Sequence, residues 1–141
     1  MVHPQSGRLY VVTKEKGRVR RRGDQDYEAT NEVYEIKPGK ATRVGQFTTR
    51  SVVTLGCLTT GGDFRRDGRA FVIRTYADAY EFTLRPGETM AAALERPPKK
   101  HPLPLEPQGE AICYRLDGKA WLTCSERVFG WNSVYKIPLG R

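Results

Sequence analysis

Four acidic residues lie at repeated positions in the sequence and could supply oxygen ligands to a metal ion. Asp63 and Glu110 each follow a glycine near the start of a strand-like run, whereas Glu15 and Glu126 each close a second run. Carboxylate oxygens gathered in this way are the ligands that a hard cation such as calcium prefers. The alternative is structural, because an acidic side chain next to glycine often accepts backbone N–H groups in a turn.

Arg74 and Lys14 are the candidate anion ligands. A bound cation attracts phosphate groups, and both side chains belong to runs that neighbour the acidic positions. Arg74 could instead pair with Asp63 or Glu110. The residues therefore leave open both a calcium-assisted site for a phosphorylated small molecule and a set of structural ion pairs.

The elements that must position these residues are repeated three times. The run "GRLYVVTKE" begins at Gly7, "GRAFVIRTY" at Gly68 and "GKAWLTCSE" at Gly118. In each run a cation follows the glycine, and an aromatic residue comes three positions after it. These aromatic residues are Tyr10, Phe71 and Trp121. Because they share one position in their units, we predict that all three are buried between adjacent sheets.

Each repeat is predicted to be a small antiparallel sheet. Alternating patterns rich in β-branched and aromatic residues, separated by glycine and proline, indicate strands. The stretch Met90–Leu94 within 88–96 fits either a strand or one helical turn, since alanine is a poor strand former. Four antiparallel strands recurring at about 50 residues are typical of a β-propeller blade, with a β-sandwich as the alternative. The expected units are 7–58, 59–106 and 107–141 of one all-β domain.

The three cysteines are expected to be free thiols. A tight turn at Asp117-Gly118 would place Cys113 opposite Trp121 or Leu122 rather than opposite Cys124. Their spacing also lacks the paired pattern of a zinc site.

The net charge of +8 raises the question of a nucleic-acid partner, and "GRVRRRG" (17–23) is its densest basic run. An acidic run follows at once, so a solvated loop is the favoured interpretation, with phosphate binding through Arg18–Arg22 as the alternative. The sequence shows none of the usual base-reading motifs. We therefore do not expect nucleic acid to be the natural partner.

The hydropathy pattern does not predict an association with a membrane. Apolar runs are too short to span a bilayer, and residues 1–30 lack the pattern of a signal peptide. A soluble, cytoplasmic chain is expected as the sequence stands, although a longer parent protein could be secreted.

Several stretches resemble the C-terminal half of bacterial β-propeller proteins, a group related to the WD40-like and "esterase-like activity of phytase" families. They are "GRLYVVTKE", "RTYADAYEF", "EPQGEAICYRLDGKAWLTCSE" and "VYKIPL", and the resemblance runs over most of residues 2–140. It implies blades of a ring that would number about six. The first unit then lacks its first strand and the last unit stops after its third. The chain would be a fragment, or copies of it would associate to complete a ring.

Three functions are compatible with this sequence. The first is a propeller that acts as a scaffold or binds a ligand. The second, which the resemblance suggests, is a calcium-dependent, phytase-like hydrolase of phosphoric esters. The third is a basic protein that binds phosphate or nucleic acid. No serine-hydrolase motif of the GxSxG type is present to support an esterase.

Overall fold

A computed structural model describes residues 1–14, 19–22, 26–104, 106–126 and 133–140. Strands account for 56% of it and helices for 6%, so the all-β class is confirmed. The strands are β1 (Leu9–Val12), β2 (Val19–Arg22), β3 (Asp26–Lys37), β4 (Lys40–Ser51), β5 (Thr59–Phe64), β6 (Ala70–Thr75), β7 (Asp78–Thr83), β8 (Lys99–Pro102), β9 (Gly109–Tyr114), β10 (Ala120–Ser125) and β11 (Val134–Pro138). A short 3-10 helix covers Leu55–Cys57 and helix α1 covers Met90–Leu94.

The first sheet is organised around one long hairpin. Strand β3 pairs with β4 along one edge, while β1 and β2 lie end to end along its other edge. The alternation of β3 buries Ala29, Asn31 and Val33 on one face. The basic run at 19–22 therefore belongs to a strand, not to the loop that the sequence analysis favoured.

The second and third sheets are meanders of consecutive antiparallel strands, in the orders β5-β6-β7-β8 and β9-β10-β11. Strand β8 is the fourth strand of the second sheet. The alanine stretch before it forms the helical turn α1, which the side chain of Thr89 caps by accepting the N–H of Ala92 at 3.2 Å.

The turn glycine has a positive φ angle in all three units, but the turn of the first unit is one residue longer. The N–H of Gly7 donates to the carbonyl oxygen four residues earlier, whereas the N–H groups of Gly68 and Gly118 donate to the carbonyl oxygen three residues earlier. Gly7, Gly68 and Gly118 have φ angles of 67°, 66° and 65°, which side chains rarely adopt. In the second and third units, Asp67 and Asp117 accept the backbone N–H two residues later at 2.9 Å. The repeat in the sequence therefore corresponds to a repeat in the structure.

Two apolar clusters hold the three sheets together, and strand β6 contributes to both. Phe71 and Ile73 face the first sheet, in a cluster that also contains Tyr10. Val72, on the opposite face of β6, belongs to the cluster of Trp121 in the third sheet. Tyr10, Phe71 and Trp121 are 5%, 0% and 0% exposed, so the aromatic residues are buried as predicted.

The hairpin of the third sheet has the predicted register. Leu122 lies opposite Cys113, and all three cysteines are free thiols. Within the described ranges, no helix has the length and apolar character that crossing a membrane requires.

Candidate functional site

The predicted calcium ligands that the structure describes, Asp63, Glu110 and Glu126, do not converge on a metal site. Among the described residues, no three carboxylate, imidazole or thiol groups lie close enough to hold a metal ion. Asp63 accepts the backbone N–H of Tyr114 at 2.9 Å and so ties the second sheet to the third. Glu126 is exposed, and Glu15 lies outside the described residues.

Asp63 and Glu110 are not equivalent positions, contrary to the interpretation from the sequence. Asp63 lies opposite Val72, four residues before Asp67, whereas Glu110 lies seven residues before Asp117. A glycine precedes both acidic residues, and this shared pair suggested an equivalence that the strand registers do not support. Glu110 is therefore at the open end of its hairpin, while Asp63 is closer to the turn.

Arg74 is a buried structural residue and is not available to a dissolved anion. Its side chain is 0% exposed and lies 3.3 Å from the carboxylate of Glu106, which is also 0% exposed. Arg74 also donates to the carbonyl oxygen of Ala111 at 2.9 Å, and Thr123 donates to Glu106 at 2.6 Å. A side chain at Gly109 would collide with the guanidinium, which explains why glycine precedes Glu110.

Lys14 and Glu110 do meet, and Tyr76 lies between them. The hydroxyl of Tyr76 donates to Oε1 of Glu110 at 2.7 Å, and Lys14 Nζ lies 2.9 Å from that hydroxyl. Lys14 Nζ is also 3.5 Å from Glu110 Oε1. We call these three residues the Tyr76 cluster. Lys14 follows β1, Tyr76 follows β6 and Glu110 is in β9, so one residue comes from each sheet.

The Tyr76 cluster keeps its lysine charged. Burial alone lowers the pKa of Lys14, but the hydrogen bond with Tyr76 and the charge of Glu110 outweigh it, and the pKa is raised. The ammonium also lies 4.8 Å from the centre of the Tyr76 ring, within the range of a cation–π contact. The cluster therefore combines a fixed positive charge with a carboxylate.

An apolar cavity of about 420 Å³ lies beside the cluster, and we call it the Tyr76 pocket. Its walls come from the connection after β4, the residues that follow β6 and the segment before β9. The lining residues are Val53, Leu55, Gly56, Leu58, Tyr76, Ala77, Glu106, Pro107 and Gln108. Val53 and Leu55 are 54% and 59% exposed, so the outer wall presents apolar surface to solvent.

A narrower groove of about 290 Å³ also reaches the cluster, through Lys14 and Glu110. Its lining includes Met1, the strand β1 from Tyr10 to Val12, and the segment Thr59–Gly62. Since Tyr76 lines the pocket and bonds to Glu110 in the groove, the Tyr76 cluster lies where the two cavities meet.

Sequence reasoning identified Lys14 and Glu110 and missed most residues of the pocket. Lys14 was predicted as a cation beside the acidic positions that include Glu110, and the two form an ion pair in the structure. The sequence does indicate the pocket wall formed by Val53 and Leu55, because these apolar residues lie in a connection between two strands. Glu106 lies between prolines and shows no pattern that predicts its burial.

No protein-family model, characterised protein or solved structure matches this chain.

Proposed function

We propose that this protein is a non-catalytic binding module, built from blade-like sheets, whose Tyr76 pocket binds a small amphipathic molecule. One observation carries the proposal: the apolar pocket and the charged cluster share Tyr76. Its ring lines the pocket, while its hydroxyl contacts both Glu110 and Lys14.

The size and lining of the pocket support a small-molecule ligand. Binding sites for such molecules measure roughly 300–1,000 Å³ and combine apolar walls with a few polar groups. Here Val53, Leu55 and Pro107 provide apolar wall, while Tyr76, Glu106 and Gln108 are the lining residues with polar side chains. The ligand would place its apolar body against these walls and its polar group toward Tyr76.

The blade interpretation supports the same function. Three antiparallel sheets stack through the two apolar clusters, and the residues of the Tyr76 cluster lie at one end of that stack. The outer strands β4 and β11 have a free edge within the described residues, and such edges favour association with a further sheet. We propose that copies of the chain, or additional blades, cover these edges. A calcium-dependent hydrolase would need converging acids, and the described acids do not supply them.

An uncharged solvent-sensitive dye such as Nile red tests the pocket without involving charge. Leu55→Ser should lower dye binding several-fold, because it replaces an apolar side chain of the wall by a hydroxyl. Leu116→Ser is the matched control, since Leu116 is 81% exposed in the turn between β9 and β10. An equal loss in both variants, or binding that neither changes, would contradict the proposal.

A further inference from the structure

Another cavity, of about 500 Å³, lies at the opposite end of the first and second sheets from the Tyr76 cluster. Tyr76 follows the last residue of β6, whereas this cavity is bordered by the turn that precedes β6. Its walls come from three turns, at residues 3–8, 67–69 and 84–89. We call it the arginine cleft because Arg8, Arg69 and Arg85 all line it.

The guanidinium groups of this cleft are mostly unengaged. The exposed side chains of Arg69 and Arg85 form no hydrogen bond or ion pair with the part of the chain that the structure describes. Among the described residues, Arg8 forms an ion pair with Glu35 at the long distance of 4.0 Å, and its side chain is 55% exposed. Three cations therefore border one cavity, and none of them has an ion pair shorter than 4.0 Å with a described residue.

The two acids that line the cleft are already held by other arginines. Asp67 accepts from Nε of Arg65 at 2.8 Å, and this bond lowers the pKa of Asp67. Glu88 accepts from Nη2 of Arg96 at 2.8 Å, and the contact with Arg96 lowers the pKa of Glu88 to about 2. The hydrogen bonds from Arg65 and Arg96 lower these two pKa values more than the charges of Arg69 and Arg85 do, so the two acids offset the positive charge of the cleft only in part.

The position of two of these arginines follows from the repeat. Arg8 and Arg69 each come directly after the positive-φ glycine of their turn, Gly7 and Gly68. The two turns differ in length by one residue, yet the cation after each turn glycine borders the same cavity between the first and second sheets. The cation after each turn glycine was noted in the sequence but is not used by the Tyr76 site.

We propose that the arginine cleft binds a small polyanion that carries phosphate groups. Guanidinium groups form paired, charge-assisted hydrogen bonds with phosphate oxygens, and the cavity is large enough for a molecule with several such groups. The side chains of His3 and Ser6 also line the cleft and add hydrogen-bonding groups. The overall charge of +8 favours the approach of an anion.

This inference is independent of the proposed function. No residue that lines the Tyr76 pocket also lines the arginine cleft. An uncharged dye reports on the first site and an inorganic polyanion reports on the second. Either proposal can therefore fail while the other holds.

Isothermal titration with inorganic tripolyphosphate at low salt tests the cleft. The Arg69→Gln, Arg85→Gln double variant should bind about tenfold more weakly or worse, because it removes two of the three guanidinium groups. The Lys40→Gln, Lys136→Gln double variant is the matched control. It removes the same charge from exposed side chains on β4 and β11, outside the cleft, and should bind as the parent does.

Four results would overturn the proposal. Equal weakening in both double variants would show attraction to overall charge without a site, and absence of measurable binding would show no site. Binding of a single-stranded oligonucleotide that depends on Arg69 and Arg85, without binding of tripolyphosphate, would replace the small polyanion by nucleic acid. A sulfate titration at matched ionic strength should show clearly weaker binding than tripolyphosphate, and equal binding would also contradict a site for linked phosphates.

Discussion

Two ion pairs join residues of different sheets at the open end of the hairpins, and they differ in their contact with water. Arg74 and Glu106 lie 3.3 Å apart with both side chains 0% exposed. Lys14 and Glu110 lie 3.5 Å apart with side chains 37% and 29% exposed. The first pair is enclosed by the packing of the second and third sheets, whereas both residues of the second pair line the groove of about 290 Å³.

This difference separates a structural role from a binding role. A buried pair cannot exchange its partners for a ligand, and removing one partner leaves an uncompensated charge in the interior. A part-exposed pair contributes little to stability but can reorganise around a ligand at low cost. We therefore expect variants of the buried pair to change folding, and variants of the Tyr76 cluster to change binding more than folding.

The largest effect is expected from Glu106→Ala. It leaves the buried guanidinium of Arg74 without its carboxylate and the hydroxyl of Thr123 without its acceptor. The free energy of unfolding should fall by about 3–5 kcal/mol, measured by urea denaturation. Glu126→Ala removes an exposed carboxylate and serves as the control, with an expected change within about 0.5 kcal/mol. A loss for Glu106→Ala as small as that of the control would mean that the pair is not desolvated.

The next effect is expected from Gly109→Ala, which tests whether Arg74 is held rigidly. The added methyl group would collide with the guanidinium, which Glu106 and the carbonyl of Ala111 hold in place. A cost of about 1–3 kcal/mol is expected from this overpacking. Gly140→Ala is the control, because no atom lies within 4 Å of a methyl group added there. If Gly109→Ala unfolds at the same urea concentration as the parent protein, Arg74 moves freely and the comparison fails.

The sequence predicted the repeat and its core, because these depend on local patterns. The position of Tyr10, Phe71 and Trp121 follows from their common spacing after a turn glycine, and the tight turn placed Cys113 opposite Leu122. Such features require only strand alternation and turn chemistry. They could be predicted before any contact between sheets was known.

The partners of the charged residues could not be predicted, because they depend on contacts between sheets. The register of β9 against β10 shifts between Cys124 and Ser125, which changes the residues that face each other at the open end. Arg74 meets Glu106 across a proline-containing connection, 32 residues away in sequence. A glycine followed by an acidic residue occurs in both units for different physical reasons. Asp63 accepts a backbone N–H from the third sheet, whereas Gly109 leaves room for the guanidinium of Arg74, so matching Asp63 to Glu110 by sequence alone was wrong.

A smaller effect is expected from Tyr76→Phe, which separates the two roles of this residue. It removes the hydroxyl that contacts Glu110 and Lys14 but keeps the ring that lines the pocket. Stability should fall by about 1 kcal/mol, while binding of Nile red should stay close to that of the parent. Tyr135→Phe removes an exposed hydroxyl from β11 and is the control. Loss of dye binding in Tyr76→Phe alone would show that the hydroxyl, and not the apolar wall, holds the dye.

The smallest effect is expected from Lys14→Met, which probes the exposed pair itself. An exposed pair contributes about 0–1 kcal/mol and is screened by salt, so the difference in stability from the parent should shrink at high ionic strength. The pKa of Lys14 is raised above its ordinary value of 10.5, so the folded protein holds this proton more tightly than the unfolded chain does. The stabilisation should therefore be fully present below pH 10.5 and disappear as the pH rises through the higher pKa of the folded state. Urea unfolding of both proteins, at neutral pH and above that range, measures this change. A difference that is independent of both salt and pH would mean that Lys14 acts through the packing of its methylene groups, and the contrast between the two ion pairs would then not be electrostatic.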